Sequence, residues 1–166
     1  MNIINKIYND SNFMKIAKPI IENKEFEKTK LIKHHDTTRF NHSVKVAYLS
    51  YRFSKVLGLD DKSIVRGATL HDFFLERDDE NIKTETKMLI KHPKIAKENA
   101  IKYFGVNEKE QNIIESHMFP VSNVLPRTKE AWIVSFCDKL IAASEGTGRV
   151  KAQVSLWILF IANLLK

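Results

Sequence analysis

Apolar residues recur at intervals of three and four positions through much of the chain, the spacing of one face of an α-helix. Only five Gly and four Pro occur among 166 residues, although the many turns of a sandwich or barrel consume both residue types. The sequence therefore predicts an all-α fold, a compact bundle of about five to seven helices. The two clearest apolar stripes are Ile64, Ala68, His71 and Leu75, and Ala131, Val134, Ser135, Asp138, Ile141 and Ala142.

Capping signals predict where the helices begin and end. Asn41 can cap a helix over 42–57, and Gly58 supplies a left-handed residue after its end. Pro93 suits the first turn of a helix that ends near Gly105. The other predicted elements are a helix capped by Asp60, a polar loop or short exposed helix over 77–91, a helix opened by Asn107 and Glu110, a helix over 129–145 and an apolar helix over 149–165.

Length and composition favour one cytoplasmic domain that spans 1–166. The net charge of +7 suits anionic partners, but most lysines are scattered as on an ordinary solvated face. Cys137 is the only cysteine, which fits a reducing compartment, and the N-terminus lacks the apolar stretch of a signal peptide. The apolar segment Val154–Leu165 has 12 residues, short of the roughly 20 that span a bilayer. We expect it to be a core helix or a helix of a homodimer.

Histidines and aspartates fall on or near the apolar faces of several predicted helices. Burying an unpaired carboxylate costs several kcal/mol, so Asp72 and Asp138 need a strong partner, which a divalent metal would supply. Imidazole and carboxylate are the usual donors for iron, manganese, zinc and cobalt. A lone histidine is more often an ordinary core or surface residue, but five segments with this pattern favour metal binding. The candidate ligands are His42, His71, Asp72, His92, His117 and Asp138.

These segments resemble the motifs of the HD superfamily of metal-dependent phosphohydrolases, over about residues 35–145. The resemblance is closest to small bacterial stand-alone HD-domain proteins, and it implies a compact helical bundle around the metals. Two extra histidines between the HD pair and the last aspartate resemble the dinuclear branch of the superfamily. The matching segments are 41–43, 70–74, 92–96, 115–118 and 137–139.

The resemblance implies two divalent transition-metal ions, with iron or manganese favoured and zinc, cobalt, nickel or magnesium as alternatives. It further implies that a water or hydroxide held between the metals attacks a phosphoester of a nucleotide or another small phosphorylated substrate. His71 and Asp72 would be the catalytic pair. The implied ligands are His42, His71 and Asp138 for one metal and His92 and His117 for the other, with Asp72 as the bridge between them.

Residues around these motifs are candidates for substrate contacts. Lys139 and Arg39 could bind the substrate phosphate, and His34 and His35 could lie at the mouth of the pocket, although adjacent histidines in a basic loop are usually solvated. The acidic run over 76–80 departs from the pattern expected after the HD pair and leaves the route of substrate entry open.

Two other functions use the same residues. A mixed-valent diiron oxygenase of the HD superfamily has the same ligand pattern, and oxygen uptake with a non-phosphate substrate would distinguish it. A non-catalytic binding module would use the metals only to brace the fold. Its basic face would then meet nucleic acid, but the chain lacks the interleaved aromatic and basic residues of nucleic-acid-binding platforms.

Overall fold

The computed structural model describes residues 3–34, 37–75 and 85–145. Within these ranges it confirms the all-α fold, with eight α-helices, a 3-10 helix over Lys28–Leu31 and one pair of very short antiparallel strands, β1 (Lys33–His34) and β2 (Thr37–Thr38). The helix count exceeds the predicted five to seven because the N-terminal region forms three helices that were not predicted. The helices are α1 (Ile3–Asn9), α2 (Ser11–Ile21), α3 (Lys24–Glu27), α4 (Arg39–Leu57), α5 (Asp61–Leu70), α6 (Glu85–Phe104), α7 (Glu108–Ser116) and α8 (Lys129–Glu145).

The start of α4 corrects the predicted cap. Thr38, rather than Asn41, is the capping residue, and its hydroxyl oxygen accepts a hydrogen bond from the backbone N–H of Asn41 at 3.2 Å. Thr38 is extended, as a capping residue must be, whereas Asn41 already lies inside the helix. The predicted end is confirmed, because Gly58 adopts the left-handed conformation with φ of 64°.

Two other helix boundaries differ from the predictions. Helix α5 ends at Leu70, so Leu75 lies beyond it, and the assumption that His71 and Asp72 are interior helix residues is wrong. His71 nevertheless keeps right-handed helical dihedral angles as the residue that closes α5. Helix α6 begins at Glu85, so Pro93 lies inside the helix instead of in its first turn, and His92 does not precede the helix. The helix start was mispredicted from Pro93 because a proline, although it removes one backbone hydrogen bond, can be accommodated inside a long helix.

The other capping predictions within the described residues are confirmed. The side chain of Asp60 accepts from the backbone N–H of Ser63, and Asn107 with Glu110 forms a reciprocal capping box. Gly105 follows the end of α6 with a φ of 57°, and α8 has the predicted bounds. The predicted helix over 149–165 lies outside the described residues.

A glycine allows two helices of the candidate site to approach closely. A Cβ atom added at Gly67 in α5 would lie 2.7 Å from Cγ2 of Ile113 in α7, so no larger residue fits without a shift. Helices α4, α5, α7 and α8 pack against one another, and their buried apolar residues form one core with those of α1 and α2. This packing brings the end of α5 beside the end of α7.

The N-terminal helices complete the apolar core. Phe13 and Phe26 are fully buried in it, and Cys137 is buried there too. The lysine-rich stretch over 24–33 is partly solvated, as expected, with ion pairs between Lys28 and Glu25 and between Lys30 and Glu27. None of the helices in the described ranges combines the length and the apolar character needed to cross a membrane.

Candidate metal centre

The structure brings the six candidate ligands together from five helical segments. Each segment contributes its residue from a different place: the first turn of α4, the end of α5, the interior of α6, the end of α7 and the middle of α8. All six side chains are buried. The residues are His42, His71, Asp72, His92, His117 and Asp138.

Three of these residues converge on one point, and we call them the Asp138 group: His42, His71 and Asp138. Nε2 of His42 lies 3.0 Å from Oδ1 of Asp138, and Nε2 of His71 lies 3.5 Å from the same oxygen. The donor atoms of the group lie within 4.8 Å of one another, as atoms that bind one ion must.

A second convergence is the His117 group, which consists of His71, Asp72 and His117. The imidazole of His92 lies against this group, with its Nε2 2.9 Å from Nε2 of His117. Two neutral ring nitrogens at this distance repel each other unless a proton or a cation lies between them. His71 belongs to both groups, whereas the sequence assigned it to one metal alone.

The Asp138 group forms one half of the site, and the His117 group with His92 forms the other half. Asp72 contacts His92 and His117 as well as His71, which the two halves share. Its Oδ2 is 3.8 Å from Nε2 of His71, while its Oδ1 is 3.2 Å from Nε2 of His92 and 3.6 Å from Nε2 of His117. Oδ2 therefore lies nearest to His71, which both groups share, and Oδ1 lies nearest to His92 and His117. This arrangement suits a carboxylate that bridges two ions.

Main-chain carbonyls orient two of the imidazoles. Nδ1 of His71 lies 2.7 Å from the carbonyl oxygen of Ala68, and Nδ1 of His117 lies 2.7 Å from that of Ile114. A carbonyl can only accept, so each Nδ1 carries a proton and the neutral ring has its lone pair on Nε2. Such contacts typically orient histidine ligands of metals.

The Nε2 atom of His71 provides a test of whether the residues fit a metal. This atom is buried and has no hydrogen-bond partner among the described residues. Its nearest carboxylate oxygens belong to Asp138 and Asp72, at 3.5 and 3.8 Å. A lone pair that faces two carboxylates is unfavourable unless a cation lies among them, so the donor set fits a divalent ion.

The electrostatics of the two halves differ. Burial disfavours the charged form of His42, but hydrogen bonds to Asp138 and Glu145 outweigh it and raise its pKa to about 9. Burial would raise the pKa of Asp138, but contacts with His42 and His71 hold it well below its ordinary value. Burial and the charges of His71 and His92 lower the pKa of His117 well below its usual range. The imidazolium form is therefore favoured at His42 and disfavoured at His117, whose neutral ring keeps its proton on Nδ1.

Comparison with protein families agrees with this geometry. The HD domain family matches residues 39–143, which is more than half of the chain. The chain belongs to the HD domain family. No curated protein and no solved structure was found to match it. Membership supports a metal-dependent hydrolase, and the matched range includes all six candidate ligands.

The two cations predicted to bind substrate are buried in the wall of the HD site. Lys139 donates to the carbonyl oxygen of His117 at 2.6 Å and lies 3.8 Å from Oδ2 of Asp138. Arg39 donates to the carbonyl oxygen of Phe74 at 2.6 Å, and its guanidinium lies 3.4 Å from the centre of the Phe74 ring. Burial lowers the pKa of Lys139, although the charge of Asp138 partly offsets this. Both roles toward substrate stay predictions.

Sequence reasoning missed Glu145, the last residue of α8. Its Oε2 lies 2.8 Å from Nδ1 of His42, and its Oε1 accepts from Nζ of Lys45 at 2.5 Å. Burial would raise the pKa of Glu145, but its hydrogen bonds to His42 and Lys45 lower it. One signal was available, since Glu145 follows Asp138 by two helical turns and so shares its face of α8.

The paired histidines before the first motif gain no support as site residues. His34 lies in β1, and His35 lies outside the described residues. Their role at the mouth of the pocket stays a prediction.

Proposed function

We propose that this HD-domain chain is a phosphohydrolase that cleaves a phosphoester of a nucleotide or another small phosphorylated substrate with two divalent transition-metal ions. One observation carries the proposal: the Asp138 group and the His117 group adjoin each other and share His71, and the carboxylate of Asp72 lies against that shared imidazole as well as against His92 and His117. A centre with two adjacent ion positions suits attack on phosphorus. When bound, such ions lower the pKa of a shared water and neutralise charge on phosphate oxygens.

The charges of the site favour an anionic substrate. Two divalent ions opposite the carboxylates of Asp72 and Asp138 leave about two positive charges if the imidazoles are neutral. The lowered pKa of His117 supports a neutral ring in that half. The ammonium group of Lys139 adds a positive charge next to the candidate ligands. It donates a hydrogen bond to the carbonyl oxygen of His117 and lies 3.8 Å from Oδ2 of Asp138.

Arg39 extends the positive potential on the other side of the site. Its guanidinium stacks on Phe74, whose ring centre lies 5.2 Å from that of His92. The ring of Phe74 therefore lies between the buried guanidinium of Arg39 and the candidate ligand His92. In this proposal Arg39 and Lys139 attract the substrate phosphate and orient it toward the ions.

The proposal is tested with protein purified without oxygen, analysed for bound metals and then screened for phosphate release from nucleotides and small phosphoesters. We expect close to two transition-metal ions per chain and hydrolysis that chelation abolishes and added manganese or iron restores. Asp61→Asn is a matched control, because the partly exposed Asp61 contacts Lys55 and Ser54, away from the site. Metal-loaded protein that hydrolyses no phosphoester would overturn the proposal, and oxygen uptake by that protein would point to the oxygenase.

A further inference from the structure

His42 differs from the other oriented histidines in the group that holds its Nδ1 atom. His71 and His117 direct Nδ1 to main-chain carbonyls, whereas His42 directs it to the carboxylate of Glu145 at 2.8 Å. On the other side of the ring, Nε2 of His42 lies 3.0 Å from Oδ1 of Asp138. We infer that Glu145 is a positioning residue of the proposed metal centre, which holds His42 with Nε2 directed at the ion. The inference rests on the proposed function.

Glu145 is itself held in place from α4. Lys45 lies three positions after His42, and its Nζ donates to Oε1 of Glu145 while His42 engages Oε2. The side chain of Glu145 is 8% exposed, so water competes little for these contacts. One turn of α4 therefore supplies both partners of a carboxylate on α8, and the orientation of the imidazole is coupled to the packing of these helices.

A carboxylate in this place acts on the ligand in two ways. It accepts a hydrogen bond from Nδ1–H, which keeps the proton on Nδ1 and the lone pair on Nε2. Its negative charge also makes that lone pair a stronger donor to a metal ion. Loss of such a partner typically weakens metal affinity by about 10- to 100-fold. A neutral amide keeps the acceptor but loses the charge, so it should retain part of the effect.

The Lys45–Glu145 ion pair also joins α4 to α8, so the test must separate ligand orientation from bracing. Lys45→Met removes the brace and leaves Glu145 in contact with His42. Glu145→Ala removes both contacts, and Glu145→Gln keeps an acceptor for Nδ1. Glu130→Gln is the matched control, because Glu130 lies on the same helix and faces Lys109 at 3.6 Å.

The experiment titrates each chelator-treated full-length variant with Co²⁺, following its visible absorption and its competition with an indicator, and records thermal unfolding separately. We expect Glu145→Ala to bind the tighter cobalt ion about 10- to 100-fold more weakly, with a changed spectrum. Glu145→Gln should fall between Glu145→Ala and wild type. Lys45→Met should lower the melting temperature with a clearly smaller loss of affinity, and Glu130→Gln should bind as wild type does.

Wild-type affinity in Glu145→Ala would overturn the inference, as would an equal loss of affinity in Lys45→Met, which would indicate a brace alone. If Glu145→Ala does not fold, Glu145→Gln decides, because wild-type affinity and spectrum in that variant count against a charged positioning group. The titration contains no substrate. Wild-type protein that binds cobalt in the expected pattern but hydrolyses nothing would overturn the proposed function alone, and protein that binds no cobalt would overturn both.

Discussion

The Asp138 group and the His117 group use the same kind of imidazole donor, but different side chains surround them. In the Asp138 group, His42 is placed between two carboxylates, with Nε2 3.0 Å from Asp138 and Nδ1 2.8 Å from Glu145. In the His117 group, the imidazoles of His117 and His92 face each other at 2.9 Å. The carbonyl of His117 is held by the cationic Lys139.

This difference concerns how strongly each half attracts a cation. Each group contains one carboxylate, Asp138 or Asp72, but Glu145 adds a second carboxylate behind His42, and a half with more negative charge binds a divalent ion more tightly. We therefore expect the Asp138 group to fill first and the His117 group to bind a second, more weakly held ion. Asp72 contacts His71, which both halves share, as well as His92 and His117, so substitution of Asp72 should weaken the binding of both ions. Substitution of a residue that belongs to one half only should weaken one ion more than the other.

The largest effect is expected from Asp72→Ala, which should lose both metals and all hydrolysis. The carboxylate of Asp72 lies against His71, which both groups share, and against His92 and His117, so in the proposed centre its loss removes a bridging donor and the charge that separates the two ions. Metal content per chain and phosphate release, measured beside wild type and Asp61→Asn, check this. Retention of one tightly bound ion in Asp72→Ala would show that the halves are independent.

His117→Ala and His42→Ala should each affect mainly one of the two metal ions. His117→Ala should lose one metal and keep the other, because His42, His71 and Asp138 remain as the donors of the Asp138 group. His42→Ala should weaken the more tightly held ion instead. Metal content and cobalt titration of the two variants measure the difference, and equal losses in both would indicate a single cooperative cluster.

The pH dependence of stability should have opposite signs in the two halves of the metal-free protein. His42 has its pKa raised from 6.5 to about 9, so its stabilisation is full below about pH 6.5 and is lost as the pH rises through about 9. The shift corresponds to on the order of 3 kcal/mol. His117 has its pKa lowered, so stability is lost as the pH falls below about 6.5, where the unfolded chain takes up a proton.

Chemical unfolding of chelator-treated wild type, His42→Gln and His117→Gln across this pH range checks the two signs. The difference between wild type and each variant cancels the titrating groups that do not contact the replaced histidine. We expect the advantage of wild type over His42→Gln to shrink above neutral pH. For His117→Gln the advantage should shrink toward acidic pH, and slopes of the same sign in both pairs would contradict the assignment.

The smallest effect is expected from Ser135→Ala. Its hydroxyl donates to the carbonyl oxygen of His117 at 2.8 Å, and loss of such a hydrogen bond costs about 1 kcal/mol. Lys139 still donates to the same oxygen, so the second ion should be weakened slightly and the first should not change. Ser54→Ala is the control, since the hydroxyl of Ser54 lies within hydrogen-bond distance of Tyr51 O and Asp61 Oδ1, both outside the site. An equal change in cobalt affinity for both variants would exclude a role of Ser135 in the His117 group.

Sequence patterns predicted the parts of the fold that depend on local interactions. Asp60, Gly58 and the pair Asn107 and Glu110 act within one or two helical turns, and each lies at the helix end predicted for it. The errors at Asn41 and Pro93 have the same local origin, because each residue type is compatible with more than one helix position: Asn41 lies in the first turn of α4 and Pro93 lies in the interior of α6. In α4 the hydroxyl of Thr38 is the capping group instead.

The sequence by itself determined the kind of site: six imidazoles and carboxylates on five segments, with a single thiol in the chain. Only the tertiary structure decided which donor faces which, because those contacts join residues far apart in the chain. The two oxygens of Asp72 approach His71 on one side and His92 and His117 on the other, and Glu145 contacts His42 across 103 positions. Periodicity places a residue on a face of its own helix, but the opposing residue is set by the packing of α4, α5, α7 and α8 in one core.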